Sequence, residues 1–373
     1  MHTRTALVRG VGSHNGGAEL LLRSSSNAIV DWGDRAVVDR RQVSSELRTS
    51  WGLGGYWGIQ RFKLAAGTGA DLLPRRLAGI AGVTTWRHVD YVLDASGFSY
   101  GDQWSAKNIE QVAYAAGRWR RRRVPFILLP QSFGPFERPD VRDASLRLFE
   151  HATQIWARDD VSLGHLTSLL GPDTRVAKAP DITISLHAPR SADPLQAGTV
   201  AVIPNINLAT RRPQLGGLTE YSIALTELIQ GLRETGARPV LLEHSTHGDP
   251  TVTAACARIL PDIEVVRPAD GLQAKAFIAE CDAVVSGRYH GLVSALSSGV
   301  PAVAHSWSHK YEELMGDFGQ SSRVVDPFEP PAALDAVSDL LSSDASETIR
   351  RSATGLREEL TEMWQSVHTA IAR

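Results

Sequence analysis

Cysteine is nearly absent: Cys256 and Cys281 are the only two in 373 residues. That count excludes a disulfide framework and fits a reducing compartment. Neither lies in a Cys-x-x-Cys or Cys/His cluster, so no metal site is expected. Both fall in apolar stretches read as helical, where cysteine is usually a small core residue. Long hydrophobic runs are missing as well. No stretch approaches the ~20 apolar residues of a transmembrane helix, and Met1–Gly10 has too short an apolar run for a signal peptide. Charge of one sign is not in excess. Lys and Arg number 39 against 41 Asp and Glu, a formal net charge of −2, which excludes a polycation built for nucleic acid. Any anion site must therefore be local. Internal repeats and low-complexity tracts do not occur. The expectation is a protein made and used in the cytoplasm.

What is present is a length sufficient for two domains with a sizeable core, and short apolar runs alternating with helical patterns. That alternation implies parallel sheets built from βαβ units. Strands are predicted at Thr5–Arg9, Ala36–Asp39, Tyr91–Ala95, Phe126–Leu129, Gln154–Ala157 and Arg175–Lys178. A second set covers Val200–Pro204, Pro239–Glu243, Ile263–Arg267, Ala283–Ser286, Ala302–His305 and Arg323–Asp326. Leu186–Gly198, with two prolines and little periodicity, reads as an interdomain segment. Trp51–Gly69, rich in glycine and aromatics, gives no clear pattern. The boundaries drawn are residues 1–187, a linker over 188–198, a second domain over 199–330, and two amphipathic helices over 331–373. Two doubly wound halves imply a cleft, with ligands outside the carboxyl ends of the strands.

The unusual residues cluster at those strand ends. Ser286-Gly287-Arg288-Tyr289-His290-Gly291 runs from a strand straight into a helix. A helix N-terminus favours a bound anion, Arg288 adds a planar donor fork, and His290 titrates near neutral pH as a general acid or base should. An isolated Arg-x-His is more often an arginine paired with a surface acid and a histidine capping its own loop. After Phe126–Leu129, Gln131 and Ser132 offer neutral hydrogen bonds suited to sugar hydroxyls or a carboxylate, or form a plain turn. Ala157-Arg158-Asp159 opens another helix. Asp159 or Asp160 is a good N-cap, whereas Arg158 opposes the dipole there and is a ligand candidate. Asp181 follows a strand, Asp94 ends another, and Glu243-His244 with Asp249 end a third; each is as readily a turn or cap as a ligand contact. Gly10–Glu19, containing Asn15 and Glu19, is a glycine-rich first loop without the Walker lysine or the G-x-G-x-x-G spacing. The run Arg118-Trp119-Arg120-Arg121-Arg122-Arg123 closes a helix, either as a solvated end suited to the dipole or as a contact for an anionic membrane face or polyanion.

Taken in order, these motifs resemble the polysaccharide pyruvyl transferase family. The resemblance rests on Gly287–Gly291 with Ala295, Gly299-Val300-Pro301 and Lys310, on Leu129–Phe136, Ala157–Ser162 and Ala179–Thr183, and on Ser13–Leu22. It implies a GT-B-like fold of two Rossmann-like domains and transfer of a pyruvyl group from phosphoenolpyruvate to two hydroxyls of a sugar, forming a cyclic ketal. It also implies roles. His290 is the proton carrier, with Asp94 or Asp181 taking the hydroxyl proton. Arg288, Arg158, Gly291 and Lys310 hold the donor, while Gln131, Ser132, Asn15, Glu19 and His244 face the acceptor. Phosphoenolpyruvate is then a co-substrate; no cofactor or metal is implied, and the partners are the donor and a saccharide acceptor, lipid-linked or not. Peripheral contact with the inner membrane face would run through Arg118–Arg123. The family commonly shows Gly-Asp-x-Ala in the first loop, where this chain has Ala18 followed by Glu19. That departure bears on what the loop binds. Two alternatives stand beside this expectation: a GT-B glycosyltransferase using a nucleotide-sugar donor, and a non-catalytic scaffold of an envelope assembly complex.

Overall fold

The computed structural model describes residues 3–372 apart from 14, 58–73, 75–83, 188–193, 212, 307 and 343–344. Residues 58–69 of the glycine-aromatic region and 188–193 of the expected linker therefore lie outside the described residues. The chain divides into two compact units. One holds Met1–Ser13, Leu21–Ile182 and Glu359–Arg373; the other holds His14–Leu20 and Thr183–Glu358.

In chain order the first unit is built from β1 (Thr5–Arg9), α1 (Gly16–Asp31), β2 (Arg35–Asp39), α2 (Ser45–Ser50) and β3 (Gly54–Tyr56). The first turn of α1 groups with the second unit. Then come β4 (Tyr91–Asp94), α3 (Ala106–Arg121), β5 (Phe126–Gln131), α4 (Pro139–Phe149), β6 (Gln154–Ala157), α5 (Asp160–Leu170) and β7 (Val176–Lys178). The strands form one parallel sheet in the order β3-β2-β1-β4-β5-β6-β7. Strands covered on both faces read as continuous apolar runs, and β4 and β5 are buried along their whole length. β5 carries Pro130, which cannot donate to the ladder. Its pairing with β6 shifts register there and resumes at Gln131↔Ala157. Phe133 and Phe149 meet edge to face at 5.7 Å in the core, beside Tyr100 and Phe136.

The second unit contains β8 (Thr199–Ile203), α6 (Ile206–Arg211), α7 (Gly217–Glu234), β9 (Arg238–Leu242), α8 (Asp249–Ile259), β10 (Val265–Val266) and α9 (Gly271–Ile278). It continues with β11 (Ala283–Ser286), α10 (Tyr289–Ser297), β12 (Ala302–His305), α11 (Lys310–Asp317), β13 (Val324–Val325), α12 (Pro330–Ser342) and α13 (Ala345–Ala372). Its sheet, also parallel, runs β10-β9-β8-β11-β12-β13. Each sheet thus reverses its strand order once, between β1 and β4 and between β8 and β11. Such switch points are where doubly wound sheets leave a crevice for ligands.

All twelve predicted strands form, and β3 is added. The C-terminal helices are not a separate part. α12 places Ala333, Val337 and Leu340 in the second unit's core. The end of α13 returns to the first unit, where Trp364 and His368 pack on Trp32 at 5.8 and 5.0 Å. Amphipathicity revealed these helices but not which core would take their apolar stripes. Cys256 lies buried in α8; Cys281 lies in the turn after α9, outside the helix expected for it. Burial pushes both thiols up, to about 11 and about 12.

Candidate functional site

The second unit gathers most of the expected residues around the start of α10. Gly287 leaves β11 with its carbonyl accepting from Asn205 Nδ2 at 2.7 Å and Tyr311 Oη at 2.8 Å. A Cβ on Gly287 would lie 2.7 Å from Leu208 Cδ1 and 3.1 Å from Asn205 Cβ, so a larger residue here must push these side chains aside. Arg288 is the N-cap residue of α10, and Ser286 Oγ brackets it, accepting from its amide at 3.0 Å and donating to its carbonyl at 2.9 Å. Its guanidinium turns on Asp249: Nε donates at 3.0 Å and Nη2 makes a shorter ion pair. Asp249 also accepts from the amides of His244 and Ser245 at 3.1 and 2.8 Å. Burial lifts the Asp249 carboxyl to about 6 against the pull of Arg288 and these amides. Arg288 is thus held in place by a buried acid, with Nη1 engaged by no group among the described residues.

His290 is in the first turn of α10, its ring edge-on to Tyr289 at 5.3 Å. Lys310, at the start of α11, brings Nζ to 5.4 Å from the Tyr289 ring and 5.5 Å from the Tyr311 ring. His244 is buried. Burial, with the neighbouring His290 and Arg288, drives its pKa down to about 3, so the imidazole is neutral. Its Nε2 has no hydrogen-bond partner among the described residues.

The first loop supplies the remaining wall. Asn15 caps α1: its Oδ1 accepts from Gly17 N at 2.9 Å and its carbonyl from Glu19 N at 3.0 Å. Gly16 and Gly17 then lie against the two histidines. A Cβ on Gly16 would fall 2.7 Å from His244 O, and one on Gly17 2.7 Å from His290 Cγ. Glu19 is buried and accepts from Gly271 N at 3.0 Å, meeting an otherwise orphaned donor at the start of α9. Asn15 and Glu19 thus cap helices, and the Gly291 amide is taken by Arg288 O at 3.0 Å. Gly291 is required by packing, since its Cβ would lie 2.5 Å from Ser286 Oγ.

In the first unit the expected residues form buried relays. Arg158, 5% exposed, donates from Nη1 to Asp181 at 3.0 Å and from Nη2 to Ser132 Oγ at 2.8 Å. Ser132 Oγ donates on to Asp159 at 3.0 Å, and Asp159 caps α5 by accepting from Ser162 N at 2.7 Å. Gln131 is buried, its Nε2 on Leu129 O at 3.3 Å. Asp94 is fully buried among Arg9, Ser96 and Tyr100, with Tyr100 donating at 2.5 Å. Arg158 is thus paired with Asp181, Asp94 and Asp181 are enclosed, and Gln131 and Ser132 are buried, Gln131 with its Oε1 left without a hydrogen bond among the described residues. The reason is common to all: a strand end in this sheet lies beneath its own loops, which sequence position alone does not show.

Sequence comparison matches the model of the polysaccharide pyruvyl transferase family over residues 19–309. The chain belongs to the polysaccharide pyruvyl transferase family. No curated protein matches this family member by sequence. Solved structures share its fold. A UDP-GlcNAc 2-epimerase from Methanocaldococcus jannaschii has a TM-score of 0.61 at 9% identity, covering 95% of this chain and 100% of that one. The Anabaena protein Alr3699/HepE, in complex with UDP and glucose, scores 0.58 at 14% identity with full coverage of both chains. A glycosyltransferase from Rickettsia africae scores 0.57 at 12%, covering 100% and 98%. The fold of this pyruvyl transferase family member is accordingly GT-B-like.

Two features of it lay outside the sequence assignments. Arg9, the last residue of β1, is the partner that fixes Asp94; a charge ending a buried strand was the signal. Around Trp86, the guanidinium carbons of Arg118, Arg122 and Arg87 lie 3.8, 5.3 and 5.4 Å from the ring centre. Arg120, Arg121, Arg122 and Arg123 are exposed, and only Arg120 has a carboxylate partner among the described residues, Glu150 at 3.3 Å.

Proposed function

We propose that this family member transfers a pyruvyl group from phosphoenolpyruvate to two hydroxyls of a saccharide in a cell-surface polysaccharide or glycolipid, releasing phosphate. The observation that supports it is the gathering of Arg288, His290 and Lys310 at the start of a helix beside a sheet's switch point. Phosphoenolpyruvate is a small, highly anionic molecule. Lys310, the Nη1 donor that Arg288 keeps beside its Asp249 pair, and a helix N-terminus suit its carboxylate and phosphate. In the proposed sequence His290 delivers a proton to the methylene carbon, and positive charge develops at C2. One sugar hydroxyl bonds to C2 and its proton returns to His290. The C2–O bond to phosphate then breaks, the second hydroxyl closes the ketal, and its proton leaves with the phosphate. These steps draw only on acid–base and electrostatic groups of the chain. His244, held neutral by burial, adds no like charge beside His290.

The arginines after α3, which have no carboxylate partner among the described residues, suit an anionic membrane face, where a lipid-linked saccharide would be presented.

Calorimetry of phosphoenolpyruvate on wild type and Arg288→Ala tests the donor. Affinity should fall about tenfold or more in the variant, with Arg288→Lys intermediate and circular dichroism unchanged. Equal affinity in both, or no binding by wild type alongside binding of a UDP-sugar, would overturn it.

A further inference from the structure

We infer that a cavity of about 380 Å³ in the first unit is a saccharide-binding site whose ligand is a neutral pyranoside. This rests on the pyruvyl-transfer reading for the identity of the sugar as acceptor, and on the cavity itself for the place. Its volume lies within the ~300–1,000 Å³ usual for small-molecule sites.

The cavity is at the switch point of the first sheet. Arg9 and Gly10 at the end of β1 and Ser96 just after β4 line it, with Tyr100, Trp104 and the α3 residues Asn108 and Gln111. Gly10 has φ +77°, and a Cβ there would lie 2.8 Å from Ser96 Cβ, so the floor closes only with glycine. The strand-end residues first assigned to the acceptor are enclosed or act as caps. This cavity is where the same sheet does open.

Its charge selects the ligand. Arg9 is balanced by the fully buried Asp94, and Tyr100 joins them by accepting from Arg9 at 2.8 Å and donating to Asp94. Burial raises the Tyr100 pKa, so its hydroxyl stays protonated. One positive and one negative charge leave no surplus cation for a phosphate or carboxylate. Arg9 nevertheless keeps Nε and Nη2 without hydrogen bonds among the described residues, and its side chain is 24% exposed. Those donors, with the amides of Asn108 and Gln111, are fit to bind hydroxyls. Trp104, 40% exposed, offers the flat apolar surface on which the C–H face of a pyranose stacks. A polar, partly aromatic cavity whose one cation is balanced by the buried Asp94 suits a sugar better than the anionic donor.

Saturation-transfer NMR with the methyl glycosides of glucose, galactose and N-acetylmannosamine tests this on the full chain. At least one glycoside should be engaged by wild type, weakened about tenfold by Trp104→Ala and also weakened by Asn108→Ala. Both residues are exposed, so these variants keep the fold. Arg288→Ala should retain the glycoside signal. An unchanged signal in both cavity variants, no glycoside engaged by wild type, or displacement by inorganic phosphate would each overturn the site. If wild type fails to bind phosphoenolpyruvate while Trp104→Ala still loses the glycoside, the transfer reading falls and the saccharide site stands.

Discussion

Gly17 lies against the imidazole of His290 so closely that a Cβ there would come within 3.0 Å of the ring. The first-loop glycine and the histidine of the Arg-x-His-Gly motif therefore form one packing unit, although positions 17 and 290 lie 273 apart in the sequence. Gly17→Ala should displace His290 and lower kcat about 100-fold, since small misplacements of a catalytic group are that costly. Phosphoenolpyruvate affinity should change far less, because Arg288 is fixed independently by Asp249. Steady-state kinetics beside calorimetry checks the split. Unaltered turnover in this variant would remove His290 from the proton step.

Arg158 and Asp181 predict a stability effect rather than a binding one. Breaking a buried pair leaves an uncompensated charge, worth about 3–5 kcal/mol. Arg158→Ala should lose that much in urea unfolding, with little change in donor affinity for whatever fraction is folded. Loss of phosphoenolpyruvate binding with stability intact would restore Arg158 as a direct ligand.

The buried histidines of the second unit set its acid sensitivity. Burial holds His244 and His305 down, to about 3 and about 4, whereas an unfolded histidine takes a proton near pH 6.5. Their contribution is full above about pH 6.5 and falls as the pH drops through that value. Asp249, raised to about 6 by burial, acts the other way and regains some stability on acidification between about 6 and 4. Two histidines outweigh one carboxylate, so going from about pH 7.5 to about pH 5 should cost a net of roughly 2–3 kcal/mol. His244→Gln should remove about 2 kcal/mol of that dependence in urea unfolding at the two pH values. A variant as acid-sensitive as wild type would show that His244 is not held neutral.

Three guanidiniums drawn around the Trp86 ring keep like charges together, which favours a polyanionic surface nearby. Wild type should sediment with phosphatidylglycerol vesicles and not with phosphatidylcholine, more weakly as salt rises. Replacing Arg121, Arg122 and Arg123 with Gln should abolish most of this, at about 1 kcal/mol for each arginine. Equal sedimentation of the variant would return this patch to a solvated helix end.

Strand positions were legible because these strands are buried on both faces and interrupt the helical periodicity with short apolar runs. β3 escaped because Gly54 and Gly55 give it no such run. The Arg288–His290 turn was legible from a strand leading directly into a helix. Its partners Asp249, Asn205 and Gly17 stand at other strand-to-helix junctions, and only the parallel strand order brings them to one edge. Ser132, Arg158 and Asp181 carry the residue types of a binding site, yet they bond to one another, and Gln131 is buried with its Nε2 on Leu129 O. Residue type announces polarity, but not whether water or another side chain will meet it. Trp104 and the cavity beside it left no mark in the periodicity, because an exposed tryptophan at the start of a helix looks like any loop residue.

The relay from Asp181 through Arg158 and Ser132 to Asp159 also governs how the first unit breathes. It fastens the carboxyl ends of β5 and β6 and the loop after β7 with side-chain bonds, where loops would ordinarily be the first to open. The amides of Phe133, on Ser162 Oγ, and Ser162, on Asp159, belong to the same knot. Their hydrogen exchange should therefore require opening of the whole unit, so that a rim of loops behaves kinetically as core.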